Sequence, residues 1–488
     1  MLGQVRCFSR ARRAVVVATA GVLSAVFVAS GVPSAAADTY WSPWVGSHSV
    51  GGAILGEYRV VGGPEGRLGY PVTDELPTPR AGGRFNHFEH GSIYWAPGLG
   101  AHEMFGAIRG KWASLGWENS MLGFPVTDEF PVGHGGVAQN FTGGSIYWSA
   151  PTGAHSVIGA IRQHWGELNW DQGYLGLPVT DEISLGRRGA YQLFQGGAVY
   201  WSPGTGAHAI RGAIAARWAG TGWENGPLGF PVSDENPLPG GASSHFQGGT
   251  ISWSADTGAH VVTGAIRDLW AGMGWEGSVL GYPVTDEYSV PGGRQSDFEY
   301  GSILWTPELG AAPDVWIDGT GSGSVPLFLG SSRMLVEVSG EPTRNNLEVR
   351  FPTDRPDVDL ALLSASWDTD WAAQGTVNWT RWPLPVTGFE VDSESDWSVH
   401  LSPAAWAPTL GRNQLLSGTG RAFLHYVGPP GALRVTSDGF MAVSSSNRAD
   451  GPWPVVRINS GPATATGAVA QDVYLSIDSY DSWTIEVL

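Results

Sequence analysis

Two apolar periods alternate along the chain from about residue 38. After each Gly-Ala-Ile, at Gly52, Gly106, Gly159, Gly212 and Gly264, apolar residues follow helical spacing. Ile108, Trp112 and Leu115 fall at i, i+4 and i+7, as do Ile161, Trp165 and Leu168, and Ile266, Trp270 and Met273. This pattern predicts a helix of about two to three turns per unit with one face buried. A glycine such as Gly116 or Gly222 ends it. Next comes an eight-residue phrase of the type "LGFPVTDE", whose Gly-aromatic-Pro core predicts a bend. The period then shortens to two. "FNHFEHGSIYW" and "YQLFQGGAVYW" each predict two strands around a Gly-containing turn, a hairpin.

The whole cycle repeats. Its phrase begins at Leu68, Leu122, Leu175, Leu228 and Leu280, at spacings of 54, 53, 53 and 52 residues. A histidine keeps the same phase at His48, His102, His155, His208 and His260, and a strand-end tryptophan recurs from Trp41 to Trp305. One helix, one bend and one hairpin cannot bury an apolar face alone, so units must pack on their neighbours. An open solenoid and a closed ring resembling a five-bladed propeller both fit. The ring is the preferred reading, because "YWSP" at Tyr40 could complete the last hairpin and hide an open edge. A sixth strand copy at "ILWTP" competes for that place.

The phase is lost near Pro313. A Gly/Ser-rich joint, "IDGTGSGSVP", leads into alternating stretches such as "MLVEVSG" and "NNLEVRF" that predict strands. A second duplication lies here. "VDSESDWSVHL" and "IDSYDSWTIEV" place Asp392 and Asp478 five residues before Trp397 and Trp483, and "DGTG" and "SGTG" open the two halves. The expected fold class is mainly β with short helices: a five-unit repeat ring over 38–312, then β-sandwich-like lobes over 313–405 and 406–488.

Residues 1–37 read as an export signal. Arg6, Arg10, Arg12 and Arg13 precede an apolar stretch that ends in "PSAAA". Removing those four arginines from the 27 basic residues leaves 23 against 45 acidic, a balance of −22. Such a surface disfavours nucleic acid and anionic lipid as partners. The one cysteine, Cys7, lies in the leader, which excludes disulfides and thiolate chemistry from the exported chain. No later segment is apolar and long enough to span a bilayer.

"LGFPVTDE", "GAH", "GAI" and "GGSIYW" together resemble the LGFP repeat family over residues 40 to about 310. That resemblance implies a secreted, cell-wall-associated module of actinobacterial type that supports the envelope. It names neither the polymer nor an enzyme, and the chain carries no recognisable mycoloyltransferase or amidase domain. The first unit departs from the pattern, with Tyr58 in place of Trp112 and Gly63 in place of Trp117.

Three sets of residues invite chemistry. The Asp-Glu pairs, Asp74-Glu75 through Asp286-Glu287, suggest acid–base work, but neighbours on extended chain point apart and cannot flank one bond. A shape role is expected, with Thr or Asp bonding nearby backbone amides. The five histidines lack a shared second ligand, so packing or a sugar contact is expected before metal. Of the 24 tryptophans, Trp112, Trp165, Trp218 and Trp270 belong to the core. Trp117, Trp170, Trp223 and Trp275 follow the helix end in loops, where aromatic faces suit sugars. Ligand-binding candidates are therefore these four tryptophans with His48, His102, His155, His208 and His260. No catalytic residue, metal or cofactor is expected. The expected function is non-catalytic binding of cell-wall polysaccharide of arabinogalactan or peptidoglycan type. Alternatives are a wall-modifying hydrolase or acyltransferase in the C-terminal lobes, or a scaffold for another secreted protein.

Overall fold

The computed structural model describes residues 37–80, 82–330, 334–340, 347–352, 359–365, 372–377, 386–445, 453–471 and 473–488. The leader through residue 36 lies outside the described residues. The chain divides into two compact units, one ending at Gly106 and the other running from Ala107 to Leu488. Five helices carry the repeat: α1 (Gly52–Val60), α2 (Gly106–Leu115), α3 (Gly159–Glu167), α4 (Gly212–Gly220) and α5 (Gly264–Met273).

In the first unit, strands Asp38–Ser42 and Gly46–Val50 pair antiparallel ahead of α1. A four-stranded sheet follows, made of Leu76–Pro77, Arg84–His87, Gly91–Ala96 and Gly100–Phe105. Val50, Ile54, Leu55, Tyr58, Leu68, Phe88 and Ile93 form its core.

The second unit repeats this plan with the helices acting as filler between sheets. Ile161 and Trp165 of α3 share one core with Tyr147 and Val157 of the sheet before and with Phe194 and Val199 of the sheet after. Strand Gly197–Ser202 shows why this works. Successive side chains on a strand point to opposite faces. Val199 joins the α3 core, while Ala198 and Tyr200 join the α4 core with Ile214 and Trp218. Each sheet therefore has two buried faces, and neighbouring repeats cannot separate without exposing both. Of the expected helical triplets, the i and i+4 residues are buried, but the i+7 residue is less so, Leu115 being 37% exposed.

The repeated phrase is now explicable. Its leucine is buried in every copy, and its glycine turns at a φ of 64 to 72° that an L side chain rarely adopts. Its proline makes an isolated bridge to a strand phenylalanine, as Pro178 does to Phe194. The expected hairpin is present and is extended by a third strand carrying Gly-Ala-His, which the sequence reading did not separate.

Among the described residues the strand pairing expected for ring closure is not found. Asp38–Ser42 pairs with Gly46–Val50, and the last repeat sheet is continued by another partner. Strand Gly310–Thr320 pairs on one side with Gly301–Thr306 and on the other with Asp396–Pro403, so the expected boundary at 312/313 falls inside a strand. Among the described residues every sheet has an open strand order.

Two sandwiches complete the chain. The first packs Val336, Val338 and Val399 of one sheet against Val349, Phe351 and Phe389 of another, in a core continuous with α5. The second packs Leu424, Tyr426 and Leu475 against Leu433, Val435 and Ile485. Their duplication extends to bonds. Trp397 Nε1 donates to the Gly321 carbonyl at 2.9 Å, and Trp483 Nε1 to that of Gly420 at 2.8 Å. A Cβ on Gly319 or Gly418 would lie 2.2 or 2.4 Å from the respective indole, so only glycine fits.

Candidate functional site: a tryptophan–arginine groove between repeats

In α2 and α4 the buried tryptophan anchors the bend that follows the helix. Trp112 and Trp218 donate their indole N–H to the carbonyls of Gly123 and Gly229, each at 3.2 Å. In the first repeat Tyr58 is equally buried and its hydroxyl donates to the Gly69 carbonyl at 2.8 Å. The Tyr-for-Trp departure therefore keeps the same bond.

The Asp-Glu pairs hold shape, but over longer distances than expected. The bend hydroxyl accepts from a strand amide 12 to 14 residues later, as Thr180 does from Leu193 and Ser233 from His245. The aspartate accepts from an amide 25 residues earlier: Asp74 from Ser49, Asp181 from Ser156, Asp234 from Ala209 and Asp286 from Val261. Three of these aspartates also bind a cation from the previous helix. Lys111 of α2 pairs with Asp181, His164 of α3 with Asp234 at 2.8 Å, and Arg217 of α4 with Asp286. The same position in α5 is Leu269, which is buried in the core shared with the first sandwich. The tie is polar where another repeat follows and apolar where the sandwich follows.

Electrostatics agree with this geometry. The bond to Asp234 is the main reason the His164 pKa is raised. Burial pushes Asp234 up, but hydrogen bonds from His164, His208 and the Ala209 amide outweigh it and hold the carboxyl well below its usual range.

The five candidate histidines serve the turns. Nε2 of His48, His102, His155, His208 and His260 lies 2.8 to 3.0 Å from the carbonyl three residues earlier. Nδ1 of His155, His208 and His260 faces the bend aspartate at 3.5 to 3.8 Å.

The loop tryptophans sit elsewhere, so the two candidate sets are not brought together. Trp117, Trp170, Trp223 and Trp275 each open a short 3₁₀ turn at φ 53 to 59°, where the first repeat has Gly63 at 59°. A large side chain at positive φ is strained and persists only where its surroundings enforce it. Each ring meets its core tryptophan edge-on at 5.2 to 5.3 Å. An arginine from the helix lies over three of them: Arg109 over Trp117, Arg162 over Trp170 and Arg267 over Trp275, at 5.0 to 5.4 Å.

These arginines were not singled out from the sequence, where they look like ordinary solvent-facing helix residues. Arg162 Nε donates to Ser145 at 2.9 Å, and Ser145 donates to Asn140 at 2.6 Å. Arg267 Nε donates to Thr250 at 2.7 Å, which lies 2.9 Å from His245 Nδ1. The equivalent positions around α4 are Ala215, Ala198 and Leu193, and its Trp223 is the most open, at 39% exposure. The polar triad is present together or absent together, which is the signal the sequence held.

At α3 the set opens onto a groove of about 610 Å³ lined by Trp170, Arg162, Gln163, Glu167 and the turn at Thr142–Gly144. Its half-buried aromatic edge, fixed guanidinium and amide suit a ligand with both C–H faces and hydroxyls. Among the described residues no three His, Cys, Asp or Glu side chains converge as metal ligands, and no helix is long and apolar enough to cross a membrane.

No curated protein matches the chain. Two solved structures align weakly. One is a conserved protein of unknown function from Pseudomonas aeruginosa PAO1, at 12% identity and TM-score 0.12, covering 40% of this chain and 89% of that one. The other is an exo-β-1,3-galactanase from Phanerochaete chrysosporium, at 10% identity and TM-score 0.10, covering 68% and 91%. Scores this low decide neither fold nor function. The LGFP repeat model matches residues 68–120, 122–173, 175–226, 228–278 and 280–316, together half of the chain. The chain belongs to the LGFP repeat family.

Proposed function

We propose that this is a secreted, non-catalytic protein that binds cell-wall polysaccharide through the tryptophan–arginine grooves of its repeats. The observation carrying the reading is that a strained, half-exposed tryptophan recurs at Trp117, Trp170, Trp223 and Trp275, with a helix arginine laid over three of the four rings. Packing alone does not call for it, since the first repeat manages with Gly63. Several weak contacts on a polymer add through avidity, by roughly 10² or more when the spacing matches. The ligand is a wall polysaccharide of arabinogalactan or peptidoglycan type, the module's role is envelope attachment, and the first repeat contributes least.

The test uses the whole exported chain, residues 38–488, because a cut at 312 would split a strand. The protein pellets with isolated actinobacterial walls, and soluble wall polysaccharide competes it off. A chain that stays in the supernatant while remaining folded by circular dichroism would remove the reading.

A further inference from the structure

The duplicated sandwiches offer an internal control. The ladder of the first places Trp316 opposite His400 and His400 opposite Glu337 on one face of the sheet. The same ladder in the second places Leu415 opposite Glu486 and Glu486 opposite Arg434. The scaffold beneath is the same, down to the tryptophan bonded to a glycine carbonyl. The outward chemistry is not. In the second sandwich Arg434 pairs with Glu486 at 3.2 Å, an ordinary solvated ion pair. In the first, the Trp316 and His400 rings lie 4.1 Å apart and 6° from parallel, and Asp314 holds His400 Nε2 at 2.8 Å. Trp316 remains 52% exposed.

Sandwich stability does not require this arrangement, since the second copy stands without it. We propose that this face of the first sandwich is a separate binding site for a neutral polysaccharide, with Trp316 as its stacking surface. Outward residues on one strand stand about 7 Å apart. Beyond Trp316 they continue as Asp318, to which Ser398 donates, and Thr320, which donates to Asp396 at 2.6 Å. Asp318, Thr320, Asp396 and Ser398 line a groove of about 670 Å³ with Gly319, Ser339, Gly340 and Trp397, next to Trp316 along the strand. A sugar packing its C–H face on the indole meets acceptors and hydroxyls next along the groove, as a polyol requires. Asp314, Asp318, Asp396 and Glu337 on the same face disfavour a polyanion and thus select a neutral chain. His400, fixed by Asp314, sets the pitch of the indole.

The site is independent of the repeat grooves, and affinity electrophoresis separates the two. Residues 38–488 run through gels cast with soluble galactan, arabinogalactan or glucan. Trp316→Ala is expected to weaken retardation about tenfold in at least one gel, and His400→Ala to weaken it less. Leu415→Ala, at the equivalent position of the second sandwich, leaves it unchanged. Arg162→Ala with Arg267→Ala leaves the Trp316-dependent part intact. Trp316 is exposed, so its alanine variant folds, and equal melting temperatures check this. The proposal is overturned if the parent runs unretarded in all three gels, if Trp316→Ala runs as the parent does, or if Leu415→Ala costs as much.

Discussion

The repeats and the sandwiches are both built by duplication, yet they spend their copies differently. Around α3, α4 and α5 every sheet is buried on both faces, and each repeat is completed by the next one. The second sandwich closes its own core around Tyr426 and Leu475, while the first, around Phe351 and Phe389, shares its core with α5. In both regions a buried bond recurs: indole to glycine carbonyl from Trp112 and Trp218 in the helices, and from Trp397 and Trp483 in the sandwiches. Copies also differ at the surface, in Arg162 against Ala215 and in Trp316 against Leu415. The residues free to vary carry the individuality of each copy, and the proposed binding uses them.

The core side of this comparison has the largest expected effect. Trp218→Ala removes a fully buried indole that fills the space between two sheets and anchors Gly229. A loss of about 3–5 kcal/mol is expected, read by denaturant unfolding. A loss below ~1 kcal/mol would mean the sheets do not depend on the helix between them.

The ties come next. Leu269→Lys puts a charge where the sandwich core needs an apolar group and is expected to cost about 3 kcal/mol. Lys111→Leu, the reverse exchange, costs under about 1 kcal/mol, because that pair is partly solvated. Equal costs would break the distinction between a repeat-facing and a sandwich-facing helix.

The central tie is titratable. His164 has a raised folded pKa, so its contribution is complete below the ordinary histidine value of 6.5 and fades as pH climbs through the folded value. Asp234 is lowered from 3.8, so its contribution survives acidification until well below that value. His164→Gln should therefore cost about 0.5–1 kcal/mol near pH 5.5 and almost nothing near pH 8. Thermal melts at the two pH values check the sign, and a larger cost at pH 8 would contradict it.

The smallest stability effect sharpens the comparison most. Leu193→Asn with Ala198→Ser and Ala215→Arg copies the α3 triad onto the α4 repeat. Melting should move by less than about 0.5 kcal/mol, while wall binding rises several-fold.

The period, helix, bend and hairpin were legible because each is written in neighbouring residues: Gly-Ala-Ile, Leu-Gly-aromatic-Pro, and alternation around Gly. The sandwich duplication was legible for a similar reason, through Trp397 and Trp483 with their paired glycines. Contacts across sequence distance were not. The Asp181 tie to Ser156 crosses 25 residues and its tie to Lys111 crosses 70. Nothing in either local stretch announces them. The third strand was hidden because Gly-Ala-His reads equally as turn or strand. The closure expected for Tyr40 rested on hiding a sheet edge, and strand Asp396–Pro403 hides it instead, from 86 residues further along the chain. Of the candidate site, the loop tryptophans were visible as aromatics outside the helical stripe. Their arginines were not, because a helix position three residues from a core tryptophan gives no hint of what it covers.

The central claim is that several equivalent grooves act together on one polymer. It is tested most directly by the apparent Kd for isolated walls as grooves are removed singly and jointly, using Arg109→Ala, Arg162→Ala and Arg267→Ala. Progressive weakening is expected, with the triple variant far weaker than any single one while still folded. One variant abolishing binding alone, or the triple variant binding like the parent, would contradict it.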